Sequence, residues 1–337
     1  MRFYGGVRGA LRRAWSSGWY VGAATVLMTT QPLLTQQTKN TKTGNYSYSP
    51  FSITMLAEMT KWAVSAALYM RLPASDKSHR KLLRSDFALY AVPGAIFLVN
   101  NNLVFYVLTL IDSTTFQILS ALKLVFTAVL FRVILRRVLT SIHVVAIILL
   151  ACGAAVSQLP LASTSDTPLA AFASIVFTCI LSASGGIFSE LAMKRDADLH
   201  SIHLQNILLY SYGVVFNGAV LLAHVPVEEI LTGLDNSYVV LLLINNAFAG
   251  LFISAILKFG NNLVRLYAHT TAMLLTLVVE ALVFQKGLRA SLVLSIVIVG
   301  SSTYLYNTQP APVRLETPTR SCPTRGLPRA VILVEEG

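Results

Sequence analysis

Residues 109–139 read TLIDSTTFQILSALKLVFTAVLFRVILRRVL. Between Asp112 at one end and Arg132, Arg136 and Arg137 at the other lies a run of almost wholly apolar side chains. Its length is the ~20 residues that an α-helix needs to cross a bilayer. A single charge, Lys123, interrupts it roughly midway. An ammonium group at mid-span costs about 2.5–3.5 kcal/mol, so this lysine calls for a countercharge or a wet cavity.

Working outward, nine further stretches have the same character: 18–36, 51–70, 87–108, 141–159, 168–191, 203–223, 237–257, 266–285 and 289–306. With 114–134 they make ten. Over the 337 residues 55% are hydrophobic and 12% charged, about half the ~25% charge of a soluble domain. That excludes an ordinary soluble enzyme and, equally, a disordered chain. Three cysteines make neither a disulfide framework nor a zinc site. No long period-2 alternation supports a membrane β-barrel. The expected fold is an all-α polytopic membrane protein of ten transmembrane helices.

Most of the 26 Lys and Arg residues fall on one set of connections, including Arg2 to Arg13, Arg71 to Arg84, Arg132 to Arg137, Lys194-Arg195, Lys258, Arg265 and the tail. The opposite set carries only Lys39, Lys42, Lys286 and Arg289. By the positive-inside rule both termini are expected in the cytosol. Asn45-Tyr46-Ser47, a glycosylation sequon, then falls on the non-cytosolic side, in weak support of a secretory-pathway membrane. Residues 1–17 read as a basic cytosolic flank; a transit segment is the other reading, disfavoured by the scarcity of serine. Residues 307–337, rich in Pro and Arg, read as a disordered cytosolic tail.

Shifting the chain by 149 residues lays 109–158 on 258–307. Leu135-Arg136-Arg137-Val138-Leu139 falls on Phe284-Gln285-Lys286-Gly287-Leu288, and the small-residue patch Cys152 to Ala155 on Ser301 to Thr303 and its neighbour. Five spans per half is odd, so the second copy enters from the opposite side. The halves 18–159 and 160–306 are therefore expected to form two inverted five-helix repeats, the construction of secondary transporters.

Ionisable residues within spans are Glu58, Lys61, Lys123, Glu190 and Glu280. Glu58 and Lys61 stand three apart on one helix face and can neutralise each other; a structural pair and a cavity role weigh equally. Lys123 has no acid within a turn, and an anionic ligand such as a phosphate would complete it. Glu190, just before Lys194, reads as near the surface. Asn100, Asn101 and Asn102, then Phe116, Gln117 and Ser120, supply polar and aromatic groups nearby in sequence. Asn206 and Tyr210 share a helix face, an arrangement suited either to reading a base or to interhelical hydrogen bonding. Ser182-Ala183-Ser184-Gly185-Gly186 allows close helix packing or approach of a ligand to bare backbone. His200 and His203 read as surface residues of a cytosolic connection. No nucleophile elbow, HExxH, P-loop or EF-hand is present.

Several of these residues carry a resemblance. Asn101-Asn102-Leu103, then Asp112 through Phe116-Gln117-Ile118 to Leu122-Lys123, is similar to a signature of the nucleotide-sugar transporters, within the drug/metabolite transporter superfamily. Glu58-Met59-Thr60-Lys61, Ser182 to Glu190 with Lys194, Gln205-Asn206 to Tyr210, and Leu257-Lys258-Phe259 with Asn261-Asn262-Leu263-Val264-Arg265 match further segments. The branch resembled contains the CMP-sialic acid, UDP-galactose and UDP-N-acetylglucosamine transporters, and the likeness runs from about residue 18 to 306. It implies exchange of a cytosolic nucleotide-sugar for a lumenal nucleoside monophosphate across a Golgi or endoplasmic reticulum membrane. By the same resemblance Lys123 would hold phosphate, Asn206 and Tyr210 the pyrimidine, and Gly186 a backbone contact. Asn100, Asn101 and Phe116 would line the cavity, with Gln117, Ser182, Glu58 and Lys61 near it, and Arg265 stands where a family lysine nears the ligand. Phe116 replaces a usual tyrosine.

The reading favoured is thus a pyrimidine nucleotide-sugar antiporter. The alternatives are a plastid phosphate-ester or general metabolite transporter of the same superfamily, and a non-transporting membrane scaffold. An enzyme is disfavoured, since the spans hold no acid–base or metal constellation. No metal, cofactor or nucleic-acid partner is called for. The expected partners are the nucleotide-sugar, the nucleoside monophosphate and the lipid bilayer, with a homo-oligomer left open.

Overall fold

A computed structural model describes residues 3–38, 48–73, 84–110, 116, 119–136, 139–158, 169–195, 200–283 and 290–308. The sequon at Asn45, residue Gln117 and the tail beyond Thr308 lie outside the described residues, as do the side chains of Asn101, Asn102 and Glu280. Ten α-helices are described: α1 (Phe3–Gln37), α2 (Pro50–Arg71), α3 (Arg84–Leu110), α4 (Leu122–Val133), α5 (Ser141–Gln158), α6 (Leu169–Arg195), α7 (Ile202–His224), α8 (Ser237–Phe259), α9 (Asn262–Val283) and α10 (Ala290–Asn307). α1 begins well before the apolar stretch that starts at residue 18, so the basic flank continues the helix.

Among the described residues five helices, α6 to α10, are long and apolar enough to cross a membrane. The distribution of polarity agrees. Val144, Val145 and Ile148 on α5, and Val293, Leu294, Ile296 and Val297 on α10, face outward, whereas Lys61, Glu190, Gln205 and Asn206 are buried. An apolar exterior around a polar interior is what a lipid solvent selects. The protein is a multi-pass helical membrane protein.

The helix pairings follow a rule. α5 packs on α10 and α2 on α7; α1 lies against α8 as α3 lies against α6; α1 meets α9 as α6 meets α4. Likewise α2 meets α8 as α7 meets α3, and α4 meets α5 as α9 meets α10. Replacing each helix by the one five places along the chain carries these pairs onto one another.

Small side chains and hydrogen bonds join the pairs, since lipid offers little hydrophobic drive between helices. At α5–α10 a Cβ on Gly153 would come within 2.7 Å of Val299, and the Ser302 hydroxyl donates to the Ala146 carbonyl at 2.6 Å. At α1–α8 the Asn245 amide donates to the Leu27 carbonyl at 2.9 Å, while Thr30 donates to Asn245 Oδ1 at 2.8 Å. At α3–α6 the Tyr90 hydroxyl donates to the Ala192 carbonyl at 3.1 Å. Gly94, beside Pro93, lets α3 approach α7, where an added Cβ would stand 3.0 Å from the Phe216 ring.

Two expectations are corrected. His200 is buried, and its carbonyl accepts the Lys258 ammonium at 2.7 Å, so it belongs to the interior of the α6–α7 connection. Glu190 is fully buried, with one carboxylate oxygen accepting a backbone N–H at the start of α9.

Candidate functional site

The α8–α9 junction explains the local motif Asn261-Asn262-Leu263-Val264-Arg265. Asn261 Oδ1 accepts the Val264 N–H at 2.9 Å and so caps α9. The Asn262 N–H donates to Glu190 Oε2 at 2.7 Å, which places a carboxylate at the positive end of the α9 dipole. The other oxygen of Glu190 accepts the Lys194 ammonium at 2.7 Å. Asn262 Oδ1 in turn accepts Arg265 Nε at 2.7 Å. The result is a chain of contacts from the end of α6 to the guanidinium of Arg265. The basic-residue pattern had set Arg265 on a connection; its side chain instead reaches into the bundle.

There it divides two chambers, of about 280 and 250 Å³, that share Arg265 and Ile253 as wall. Glu58, Lys61, Gly186, Tyr210 and Asn217 are on the wall of the first, with Phe97 and Phe216 among its apolar residues. The second is lined by Lys123, Thr127, Ser182, Gln31 and His269 as well as Arg265.

In the first chamber the Lys61 ammonium meets Glu58 Oε1 at 2.5 Å and lies 4.6 Å from the centre of the Tyr210 ring. The Tyr210 hydroxyl donates to the Gly250 carbonyl at 3.0 Å and contacts Ser254 Oγ at 3.3 Å, which fixes the ring under the lysine. The pair fits because its neighbours lack side chains. A Cβ on Gly213 would meet Glu58 Oε2 at 2.5 Å, and one on Gly250 would meet Lys61 Cδ at 2.6 Å. The ion pair is thus structural and also forms part of a cavity wall; the two readings of its spacing are compatible.

The two neighbouring glycines of α6 have separate tasks. A Cβ on Gly185 would stand 2.9 Å from the Phe97 ring, a packing contact with α3. On Gly186 it would meet Asn262 Nδ2 at 2.6 Å and Arg265 Nη2 at 2.8 Å, so this glycine makes room for the guanidinium.

Among the described residues no carboxylate pairs with Lys123, and none lines the second chamber. That chamber is therefore a cationic space inside an apolar bundle, and such a space attracts an anion. In the first chamber Glu58 and Lys61 neutralise each other, and the shared Arg265 stands at its boundary with the second. The cavity as a whole suits a ligand with an anionic part and a neutral, hydrogen-bonding part.

Of the site residues taken from sequence, Lys123, Ser182 and Arg265 meet in the second chamber, and Glu58, Lys61, Gly186 and Tyr210 in the first. Asn206 and Asn100 are buried on α7 and α3, each with its Oδ1 lacking a hydrogen-bond partner, and neither is on the wall of these chambers. Phe116 packs with Val107, Ile175 and Cys179 between α3 and α6 and is not among the lining residues of either chamber. Asn101 lies in α3 with its side chain outside the described set, and Gln117 is outside it altogether. Sequence reasoning missed Gln31, His269, Ser254 and the glycines Gly213 and Gly250. Isolated glycines inside apolar helices were the available signal for the last two.

Ten helices among the described residues around a charged internal cavity define the class of polytopic helical membrane proteins with an interior binding space. Residues 19–307 match the nucleotide-sugar transporter family, and the chain belongs to it. It is 34% identical over 305 residues to "CMP-sialic acid transporter 1" of Oryza sativa subsp. japonica, covering 86% of this chain and 94% of that one. "CMP-sialic acid transporter 1" of Arabidopsis thaliana is 31% identical, with 87% and 90% covered. "Probable UDP-sugar transporter protein SLC35A4" of Xenopus tropicalis is 29% identical, with 78% and 84% covered. A crystal structure 14% identical in sequence shares the fold with a TM-score of 0.65, over 87% of this chain and 97% of its own.

Proposed function

We propose that this protein is a secretory-pathway antiporter that exchanges a cytosolic pyrimidine nucleotide-sugar for a lumenal nucleoside monophosphate by alternating access. The observation that carries the reading is the pair of cations, Lys123 and Arg265, on the wall of one chamber without a carboxylate among the described lining residues. The anionic part of the ligand lies against them. The base or sugar occupies the chamber built around Glu58, Lys61 and Tyr210, and CMP- and UDP-sugars are the candidate cargoes in view of the relatives' names.

The ten helices are read as ten spans, with both termini cytosolic and the membrane that of the Golgi. The helix pairings that exchange under a five-place shift support two halves, 18–159 and 160–306, that rock against each other. Obligatory exchange has a physical basis in the same chamber. Lys123 has no carboxylate partner among the described residues, and Arg265 reaches Glu190 only through Asn262. An empty carrier would therefore carry poorly compensated cations through its transition, at about 2.5–3.5 kcal/mol for a bare one on an insertion scale. A bound phosphate neutralises them in either direction, so the loaded carrier switches and the empty one stalls.

The test is exchange by purified protein in liposomes preloaded with CMP, UMP, GMP or AMP. Uptake of labelled CMP or UMP that depends on a pyrimidine nucleotide inside is expected. Exchange with CMP alone would assign a CMP-sugar, and exchange with UMP a UDP-sugar. No exchange with any of the four by folded protein overturns the proposal in favour of a scaffold.

A further inference from the structure

His269 lies four residues after Arg265 on α9, hence one turn along the same helix face. Its side chain is accessible and borders the second chamber together with Lys123 and Arg265. Three basic side chains from two helices, α4 and α9, thus border one space of about 250 Å³. The remaining polar wall is Gln31 from α1, Ser182 from α6 and Thr127 from α4, whose hydroxyl is already donated to the Lys123 carbonyl at 2.7 Å. Other charged groups near the region are Glu58 and Lys61, on the wall of the adjoining chamber and paired with each other, and Glu190, which is paired with Lys194 and linked to Arg265 through Asn262. A neutral imidazole keeps one N–H and a protonated one has two, so His269 can donate in either state.

The number of donors bears on which phosphate fits. A terminal phosphate monoester carries nearly two negative charges and three acceptor oxygens. A phosphate bridged on both sides, the single one of a CMP-sugar or each of the two in a UDP-sugar, has one charge and two non-bridging oxygens. No one phosphate of the cargo thus offers the charge and the three acceptors of a monoester. We infer that His269 is a specificity-determining residue whose ring N–H completes, with the Lys123 ammonium and the Arg265 guanidinium, a three-donor site for the terminal phosphate of a nucleoside monophosphate. The inference rests on the antiporter reading and extends it to the returning ligand. Tighter hold on the monophosphate would help the carrier return loaded from the lumen.

The experiment measures apparent KM for CMP and UMP, and for CMP-sialic acid and UDP-galactose, in proteoliposomes with the intact protein and its variants. His269→Leu keeps the site apolar within the bilayer and His269→Ala is the second truncation; the one that purifies monodisperse is used. KM for the exchanged monophosphate is expected to rise about tenfold, the worth of one hydrogen bond to a charged group, and to rise clearly less for the nucleotide-sugar. His269→Gln, which retains an N–H donor, is expected to restore most of the loss. An unchanged KM, or an equal rise for both ligands, overturns the assignment while leaving the antiporter intact. Absence of exchange in the unsubstituted protein overturns the antiporter reading and this inference with it.

Discussion

Lys61 and Lys123 are both lysines inside apolar helices, yet their surroundings are opposite. Lys61 has a carboxylate three residues away, a tyrosine ring 4.6 Å from its ammonium and a glycine on the facing helix that gives it room. Lys123 opens onto a chamber where its neighbours are Arg265 and His269. The first cation is neutralised by the fold itself, whereas the second is left for a ligand to neutralise. A buried charge whose partner is built in serves the architecture first; one whose partner is missing implies something that binds.

The largest predicted effect sharpens this contrast. Lys123→Ala is expected to abolish exchange, a drop of about 100-fold or more, while elution profile and thermal stability in detergent stay unchanged, because no native ion pair is lost. Retained exchange would break the comparison at its centre. Lys61→Ala is expected to act through stability, since it leaves Glu58 uncompensated, at a cost of about 3 kcal/mol. Lowered melting temperature and yield should report it, and the double variant Glu58→Gln with Lys61→Gln should recover much of the stability. If Lys61→Ala folds normally and only transport falls, the pair is not architectural.

A smaller effect is expected at Gly186. An added methyl group would crowd Arg265 Nη2 and Asn262 Nδ2, an overpacking cost of about 1–3 kcal/mol that corresponds to roughly tenfold or more in nucleotide affinity. Gly185→Ala, which crowds the Phe97 ring instead, should disturb packing more than affinity. Binding titration of CMP and UMP against melting temperature for the two variants separates these roles.

Much of this was legible in sequence for definite reasons. Hydropathy identified the helices, and the Glu58–Lys61 pair followed from i,i+3 spacing, a short-range property. The isolation of Lys123 was visible as well, since no acid lies within a turn of it. Glu190 was misread because Lys194, its neighbour in sequence, suggested a surface pair, while its second oxygen serves the first turn of α9. Phe116 is assigned to the cavity by its place in a motif, and what the sequence does not record is its packing with Val107, Ile175 and Cys179 between α3 and α6.

The sequence by itself determined the solvent, the helices and which charges stand in apolar runs, because each depends on contiguous residues. Which of those charges meet was decided only by tertiary structure. Lys123 and Arg265 are 142 positions apart and come to one chamber through the packing of α9 beside α4 and α6. Coulomb interaction depends on distance in space, and no local spacing records it.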